Sequence, residues 1–423
     1  MVRPKNHAKL VNEILKIISN ADFISSHKTS RKYFTRDRIW NFQTAFLFIC
    51  SILNKRIQSE IDVFFSKLYS FPEELRLVSA SAFTQCRDKI SYTAFRQVHK
   101  DLVSYFYDCM HFKCFYGMRL IAIDGTTFTL PKTKETVREF GDNVLSEHGK
   151  WIKAKVSFAT DVLNNICVQA CIGSYKSSEG KQARQLIDHM DKNNLYLFDR
   201  GYFTWNFFEY VVSSGSAYCF RVKRNACKQV ELFVNQNDND VLVNISIPKG
   251  KTIKVRLVKI RLSSGEQEYL LTSLLDRKRF SLNKLKHLYH LRWSVEEQYK
   301  DVKHALSIEN FTGKKVNSIK QEFYANILTY NLSMMMCKPV IDKAMKKKKA
   351  RYKYKTNKRA LIAKVKQCFV KLFFHPETLI ETVEQIIISV ARESVPIRKG
   401  RKYERSKSYK AKLKFSRAYT SVV

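Results

Sequence analysis

The sequence lacks the patterns that mark several common classes of protein. Its longest apolar run, TAFLFICSIL from Thr44, is about half as long as a helix that spans a membrane. It has ten cysteines but no CxxC pair, and ten histidines but neither HxxxH nor HExxH. Because the cysteines are spread singly, they indicate buried thiols rather than disulfides or a zinc site. A metal site in this chain would therefore depend on carboxylates.

Acidic residues are scarce relative to basic ones. The chain contains 76 lysines and arginines against 38 aspartates and glutamates, a formal net charge of +38. Such an excess is larger than solubility requires, and it indicates a polyanionic partner, with nucleic acid favoured over a membrane. The first residues, MVRPKNHAKLVNEILKI, have no signal-peptide core. We therefore expect a cytoplasmic, nucleoid-associated protein with no membrane partner.

The apolar pattern changes several times along the 423 residues. Helical periodicity dominates residues 1–115, which we interpret as an N-terminal DNA-binding region. Its segment SASAFTQCRDKISYTAFRQVHKDLVSYFY is either an ordinary helical hairpin or a helix-turn-helix that reads DNA. Residues 116–224 alternate strands with helices, residues 225–275 contain short β runs, and residues 276–345 are again helical. Residues 346–423 form a basic region in which lysine, arginine and tyrosine alternate, a composition suited to contact with a nucleic-acid backbone.

Two apolar strands of the second region are each followed by an aspartate. MRLIAIDGTTFTL predicts a strand that ends at Asp124 and turns at Gly125, and NLYLFDRGYF predicts one that ends at Asp199. Between them, KVSFATDVLNNICVQACIGS predicts a hairpin that turns at Asn164 and Asn165. In the third region KQVELFV, DVLVNISI, TIKVRLVKIRL and EQEYLLTSLL all predict strands. The order predicts a mixed α/β sheet, and ligands bind at the carboxyl ends of strands in such sheets.

A charged helix is predicted at YHLRWSVEEQYKDVK, with its polar residues on one face. Within an arc of roughly 80° this continuous helix would carry five of them. These are Tyr289, Arg292, Glu296, Lys300 and Lys303. Two interpretations remain open: a solvated face with weak ion pairs four residues apart, or a metal-binding glutamate beside cations that hold phosphate.

The second interpretation needs further carboxylates, and the two strand-terminal aspartates can supply them. Oxygen ligands of this kind suit Mg²⁺ or Mn²⁺. Two such ions activate the attacking oxygen and stabilise the leaving oxygen in a phosphoryl displacement. Asp124, Asp199 and Glu296 are thus candidate catalytic and metal-binding residues.

The sequence contains the motifs AIDGTTFTLP and LYLFDRGYF and the spacing Tyr-x2-Arg-x3-Glu-x6-Lys at Tyr289, Arg292, Glu296 and Lys303. In these three features the chain resembles the DDE transposases of the insertion-sequence type 4 group. The resemblance extends over residues 79–331. It implies an RNase H-like mixed sheet catalytic core in two parts, residues 116–224 and 276–345. It also implies that residues 225–275 are an inserted β subdomain.

The resemblance also implies a site and a reaction. Asp124, Asp199 and Glu296 match the triad that holds two Mg²⁺ or Mn²⁺ ions. Tyr289, Arg292 and Lys303 match positions that hold the terminal phosphate and a flipped base. Lys300 shares their helical face but lies outside the signature. The implied reaction is cut-and-paste transposition of an insertion sequence.

In that reaction, cleavage at the element end proceeds through a hairpin and is followed by strand transfer. The implied partners are double-stranded DNA, as terminal inverted repeats and as target, and a second copy of the chain in a homodimer.

Two other functions remain open. A structure-selective DNA nuclease on the same core would lack strand transfer. A catalytically silent DNA-binding inhibitor of transposition would be expected to lack a triad carboxylate or a domain, and the sequence shows neither loss.

Overall fold

The structure is a computed structural model that describes residues 5–53, 56–72, 75–143, 151–190, 193–247, 250–262, 265–300, 309–347 and 352–398. For residues 5–8, 293, 300 and 347 only the backbone is described. Lys303 and the basic run that contains Tyr403 and Tyr409 lie outside the described residues. Among the helices that are described, none is both long enough and apolar enough to cross a membrane.

The helices, in chain order, are α1 (Lys5–Ser19), α2 (Ala21–His27), α3 (Phe42–Ser51), α4 (Ile57–Tyr69), α5 (Ala80–Arg87), α6 (Thr93–Cys109), α7 (Lys134–Phe140), α8 (Glu179–Ile187), α9 (Trp205–Ser213), α10 (Lys228–Asn235), α11 (Leu282–His290), α12 (Trp293–Lys300), α13 (Val316–Met336), α14 (Lys338–Lys347), α15 (Lys358–Gln367), α16 (Phe369–Phe374) and α17 (Leu379–Arg392). The strands are β1 (Arg119–Pro131), β2 (Trp151–Asp161), β3 (Ile166–Ser174), β4 (Asn194–Phe198), β5 (Ala217–Val222), β6 (Asp240–Ser246), β7 (Thr252–Arg261), β8 (Gln267–Thr272), β9 (Lys353–Lys355) and β10 (Val395–Ile397).

The chain divides into two compact units. The first contains Met1–His111, Phe128–Ala154 and Lys300–Val423, and the second contains Phe112–Thr127 and Lys155–Tyr299. The core of the first unit is built on α13, which is buried along almost its whole length and packs against α3, α6 and α15. A helix that is buried on all sides, as this one is, forms the centre of a helical unit and depends on the helices that surround it.

The main sheet is mixed, in the order β3-β2-β1-β4-β5-β8-β7-β6. β4 runs parallel to both β1 and β5, whereas β8 is antiparallel to β5 and β7. The mixed α/β sheet predicted from the sequence is therefore confirmed, as is the turn between β2 and β3, where Asn165 adopts the left-handed conformation with φ 59°. Of the strands in residues 225–275, β8 pairs with β5, β7 pairs with β8, and β6 pairs with β7. They thereby extend this sheet.

Two expectations about single elements were wrong. β1 does not stop at Asp124 but continues to Pro131. KQVELFV is the helix α10 rather than a strand: Val230 and Phe233, three residues apart, are buried, whereas Leu232 is exposed. That short segment has apolar residues at both helical and strand spacing, so its periodicity alone could not distinguish the two.

A buried arginine in the second unit ties the segment before α11 to the sheet. Arg256 on β7 is fully buried, and its guanidinium makes a two-pronged contact with Asp240, at 2.9 and 2.7 Å. It also donates to the carbonyl oxygens of Leu274 and Phe280 at 3.2 and 2.7 Å. These contacts fix the chain immediately before the helix that carries Tyr289.

We expect Asp240→Ala to destabilise the protein by about 3 to 5 kcal/mol, because it leaves the Arg256 guanidinium buried without its counter-charge. The double variant Asp240→Ala/Arg256→Met should recover much of that loss. The measurement is the free energy of unfolding in urea. A double variant that is less stable than Asp240→Ala would show that the contacts to Leu274 and Phe280 carry most of the stabilisation.

Candidate active site

The pairing of β1 with β4 brings two of the predicted carboxylates to matching positions. In this parallel register Ala122 lies opposite Leu197. Asp124 and Asp199 each follow two residues later on neighbouring strands, which lie about 4.8 Å apart in a sheet. Although β1 continues, its parallel partner β4 ends at Phe198. The two aspartates therefore lie at the edge where this parallel pair ends.

The third carboxylate comes from a helix that is not continuous. α11 ends at His290 and α12 begins at Trp293, so the single helix expected over this stretch was wrong. At the break, the backbone amides of Arg292 and Val295 bond carbonyl oxygens three residues earlier, at 3.0 and 3.1 Å. This tighter turn leaves Tyr289 on the first helix and Glu296 in the first turn of the second.

Arg292 links the helix carboxylate to the first strand. Its guanidinium is only 3% exposed, and it lies 3.3 Å from Glu296 and 3.9 Å from Asp124. Burial by itself would lower the pKa of Arg292, but the surrounding acidic groups, Tyr289, Asp199, Asp124 and Glu296, raise it. The ion pair between Arg292 and Glu296, predicted from their spacing, is thus present, and it is buried on the arginine side.

Asp199 is held by two side chains. The Nε of Arg221 lies 3.1 Å from its carboxylate, and the hydroxyl of Tyr289 donates to it at 3.4 Å. Arg221 also contacts Glu268 at 2.5 Å. Tyr289 is 3% exposed, so its side chain is buried beside Asp199 and does not lie on the protein surface. Sequence reasoning missed Arg221, although a cation at the end of the apolar strand SAYCFRVK was the available signal.

Asp124 is more deeply enclosed. The amide of Gly125 donates to its carboxylate at 2.9 Å, and the Tyr299 hydroxyl donates to its backbone oxygen. That hydroxyl in turn accepts from the amide of Phe158 at 3.0 Å. Burial raises the pKa of Asp124 to about 6, and the charges of Glu296 and Asp199 add to this effect against the opposing Gly125 hydrogen bond and Arg292.

A fourth carboxylate, missed in the sequence, lies beside the two strand ends. Glu179 in the first turn of α8 packs so closely that a Cβ on Gly125 would lie 3.3 Å from its Cγ, and one on Gly201 3.9 Å from its Oε2. Lys155 lies 3.8 Å from it. Burial raises the pKa of Tyr202 well above its usual range, with further contributions from the charges of Asp124, Glu179 and Asp199. The two glycines thus make room for additional negative charge.

The side chains of the two candidate lysines are not among the described parts of the chain. Lys300 is the last residue of α12, with only its backbone described, and Lys303 lies outside the described residues. Their assigned contacts with DNA remain predictions.

The carboxylates agree in type with an oxygen-ligated divalent metal. Asp124, Asp199 and Glu296 supply the donors that Mg²⁺ and Mn²⁺ prefer. Within the described part of the chain, no three acidic, histidine or cysteine side chains are placed closely enough to form a ready metal site. The Arg292 guanidinium lies between two of the three carboxylates and supplies the positive charge there.

The raised pKa of Asp124 means that its ionised form lowers the free energy of unfolding, and that this destabilisation depends on pH. In EDTA, we expect Asp124→Asn to be more stable than the unaltered protein at pH 7, by about 2 to 3 kcal/mol. The difference should be absent below pH 3.8, where the carboxyl is neutral in both the folded and the unfolded protein, and should grow to its full value above about pH 6. Urea unfolding between pH 3.5 and 8 measures it, and a pH-independent difference would contradict it.

Comparison with known proteins identifies the family of the chain. The family described as Transposase DDE domain matches residues 115–332. The chain is similar to the transposase InsG for insertion sequence element IS4 of Escherichia coli (strain K12), with 25% identity over 273 residues. That alignment covers 62% of this chain and 62% of the relative, so the chain spans about three fifths of the relative's length.

A cryo-EM structure of the piggyBac transposase synaptic complex with hairpin DNA aligns with 97% of this chain and 89% of its own, at 12% identity and a TM-score of 0.46. The family match includes both strand-terminal aspartates, Arg292 and Glu296, and it covers more than half of the sequence. The chain belongs to the transposase DDE domain family.

Proposed function

We propose that this protein is a DNA transposase that moves an insertion sequence by metal-dependent cut-and-paste transposition. The observation that carries the proposal is that three carboxylates from separate elements lie near one buried arginine, which forms ion pairs with two of them. Asp124 and Asp199 follow the parallel segments of β1 and β4, and Arg292 lies within 3.9 Å of Asp124 and 3.3 Å of Glu296. Such a cluster suits phosphoryl transfer on a polyanion, as does the net charge of +38.

We propose that Asp124, Asp199 and Glu296 hold two Mg²⁺ or Mn²⁺ ions. When bound, these ions activate the attacking oxygen and stabilise the leaving oxygen of a phosphodiester. The protein supplies the rest of the site: Arg221 and Tyr289 orient the Asp199 carboxylate, and Tyr299 holds the backbone of Asp124. The RNase H-like identity of this core is part of the same proposal.

Arg292, Tyr289 and Lys303 are proposed to bind the terminal phosphate, with Lys300 as an additional contact. The buried position of Arg292 gives it two functions: it balances the carboxylates in the form described, and it can donate several hydrogen bonds to a phosphate that enters the site. Tyr289 lies directly beside it, with the guanidinium 5.8 Å from the centre of the ring.

A cavity of about 390 Å³ beside Asp199 is the proposed site of the flipped base. Its lining includes Arg200, Arg221 and Arg224 together with Tyr269. The Arg224 guanidinium lies 5.8 Å from the centre of the Tyr269 ring. Tyr269 is only 4% exposed and donates to Gln267, so a base would contact the arginine face of this cavity before the ring.

The remaining parts of the proposal are a hairpin intermediate, terminal inverted repeats and target DNA as substrates, and a homodimer acting on paired ends. We propose that the protein carries out these steps in the cytoplasm, on the nucleoid. Arg398, immediately after β10, supports a backbone contact, since its guanidinium lies 5.9 Å from the centre of the ring of the exposed Tyr352.

The direct test is cleavage of DNA that carries the ends of the element. With Mg²⁺, the unaltered protein should produce a hairpinned end on a denaturing gel, and Asp199→Asn should lower its yield at least 1,000-fold, about 4 kcal/mol of transition-state stabilisation. Asp238→Asn, which changes an exposed aspartate of the same unit, is the matched control and should cleave normally.

Equal cleavage by Asp199→Asn and the unaltered protein would reject the site. A nick without hairpin or strand transfer would indicate the nuclease, and binding without any cleavage would indicate the inhibitor.

Arg292→Ala should separate DNA binding from catalysis. We expect it to lower the yield of hairpin roughly 100-fold, a loss of about 3 kcal/mol, and to change the affinity for uncut end DNA less than threefold. The reason is that the buried guanidinium reaches only a phosphate inside the site. Single-turnover cleavage and fluorescence anisotropy measure the two quantities, and equal losses in both would contradict the proposed role.

A further inference from the structure

A second cationic site lies in the helical N-terminal region, within the first unit. It is a cavity of about 580 Å³, which we name the basic cleft. Its lining comprises Lys32, Tyr33, Phe34, Thr35, Arg36, Arg38, Trp40 and Lys89. All but the last belong to the segment between α2 and α3, and Lys89 belongs to the turn between α5 and α6.

The basic cleft carries four positive charges and no negative one. Among the residues that the structure describes, none of Lys32, Arg36, Arg38 and Lys89 forms an ion pair with a carboxylate, and the first three are exposed. Four uncompensated cations around one cavity repel each other, and an anionic ligand would relieve that repulsion.

The two walls of the basic cleft are fixed to each other by the backbone. Lys28 and Ile90 form an antiparallel bridge. On either side of it, the amide of Thr29 donates to Lys89 at 2.9 Å and the amide of Ser91 donates to His27 at 2.8 Å. The cations are therefore presented by a connected pair of loops rather than by independent ones, which lowers the entropic cost of binding.

Apart from Thr35, the remaining lining is aromatic, and its tryptophan is held by neighbouring rings. The buried Trp40 packs against Phe65 and Phe83, with ring centres 4.7 and 5.3 Å apart. The ammonium of Lys89 lies 5.5 Å from the centre of the Tyr33 ring. A cavity with an aromatic wall and a cationic rim matches a nucleotide, which has rings that can pack on aromatic side chains and a phosphate that cations can bind.

We propose that the basic cleft binds backbone phosphates of duplex DNA. The identity of the ligand rests on the proposed function, since the lining itself indicates only an anionic group beside aromatic side chains. One interpretation of the helix pair α5–α6 was a helix-turn-helix that contacts DNA. In the present proposal the DNA contact lies in the cleft next to this pair instead. Arg87 at the end of α5 is 2% exposed and paired with Glu322 at 2.8 Å, so it is not available to DNA, whereas Lys89 in the following turn lines the cleft.

The test compares two double variants of the full-length chain that remove the same charge. Arg36→Ala/Arg38→Ala removes two of the four cations of the cleft, and Lys9→Ala/Lys16→Ala removes two exposed cations from α1. Affinity for an end-containing duplex, an unrelated duplex and a single strand is measured by fluorescence anisotropy between 50 and 200 mM NaCl. Circular dichroism confirms that each variant is folded.

We expect the cleft variant to bind both duplexes on the order of tenfold more weakly. The fall of log affinity with log salt should become less steep by about 1 to 2, because each lost phosphate contact removes about one unit of slope. The α1 variant should keep the slope of the unaltered protein. Equal losses in the two variants, an unchanged duplex affinity in the cleft variant, or a loss confined to the single strand would each overturn the proposal.

Cleavage distinguishes this site from the proposed active site. At saturating protein the cleft variant should still form hairpins, whereas Asp199→Asn should bind the duplex normally and fail to cleave. If Asp199→Asn cleaves normally while the cleft variant loses duplex affinity, the proposed active site fails and the cleft stands. If the cleft variant binds normally while Asp199→Asn loses cleavage, the cleft fails and the active site stands.

Discussion

The parallel pairing of β1 with β4 is the constraint on which the candidate active site depends. A parallel register lets two residues far apart in the chain emerge at the same level of the sheet, and here it places Asp124 and Asp199 at equivalent steps beyond the pair Ala122 and Leu197. Shifting the register by one residue would turn every side chain of one strand to the opposite face. The apolar strand interiors, which are buried on both faces, oppose such a shift.

Collecting carboxylates in one place is electrostatically unfavourable, and the surrounding structure shows how that cost is offset. Arg292 lies between Asp124 and Glu296, while Arg221 contacts Asp199 and Glu268. Even so, burial keeps the pKa of Asp124 near 6. A site in this condition favours the arrival of cations, which is the state that metal-dependent phosphoryl transfer requires.

Positive charge is used in two different ways in this chain. In the candidate active site Arg292 is buried and Arg221 is half-buried, and both are paired with carboxylates, so they orient them. In the basic cleft of the first unit three of the four cations are exposed, and all four lack carboxylate partners among the described residues. In the proposed function, the first arrangement serves chemistry at one phosphate, and the second is proposed to serve affinity along a DNA backbone. A net charge of +38 states only that cations are in excess, not how they are distributed between these uses.

The sequence by itself determined the mixed α/β class, the strand interiors and the candidate triad, because apolar periodicity and strand-end aspartates are local signals. It also determined the spacing that pairs Arg292 with Glu296. It could not determine the break between α11 and α12, the helix at KQVELFV or the continuation of β1 beyond Asp124, since local periodicity there fits more than one structure. Only the tertiary structure brought Arg221 and Glu179 beside the aspartates and Lys89 beside Arg36. Those proximities follow from strand register and loop pairing, which join residues that carry no shared local pattern.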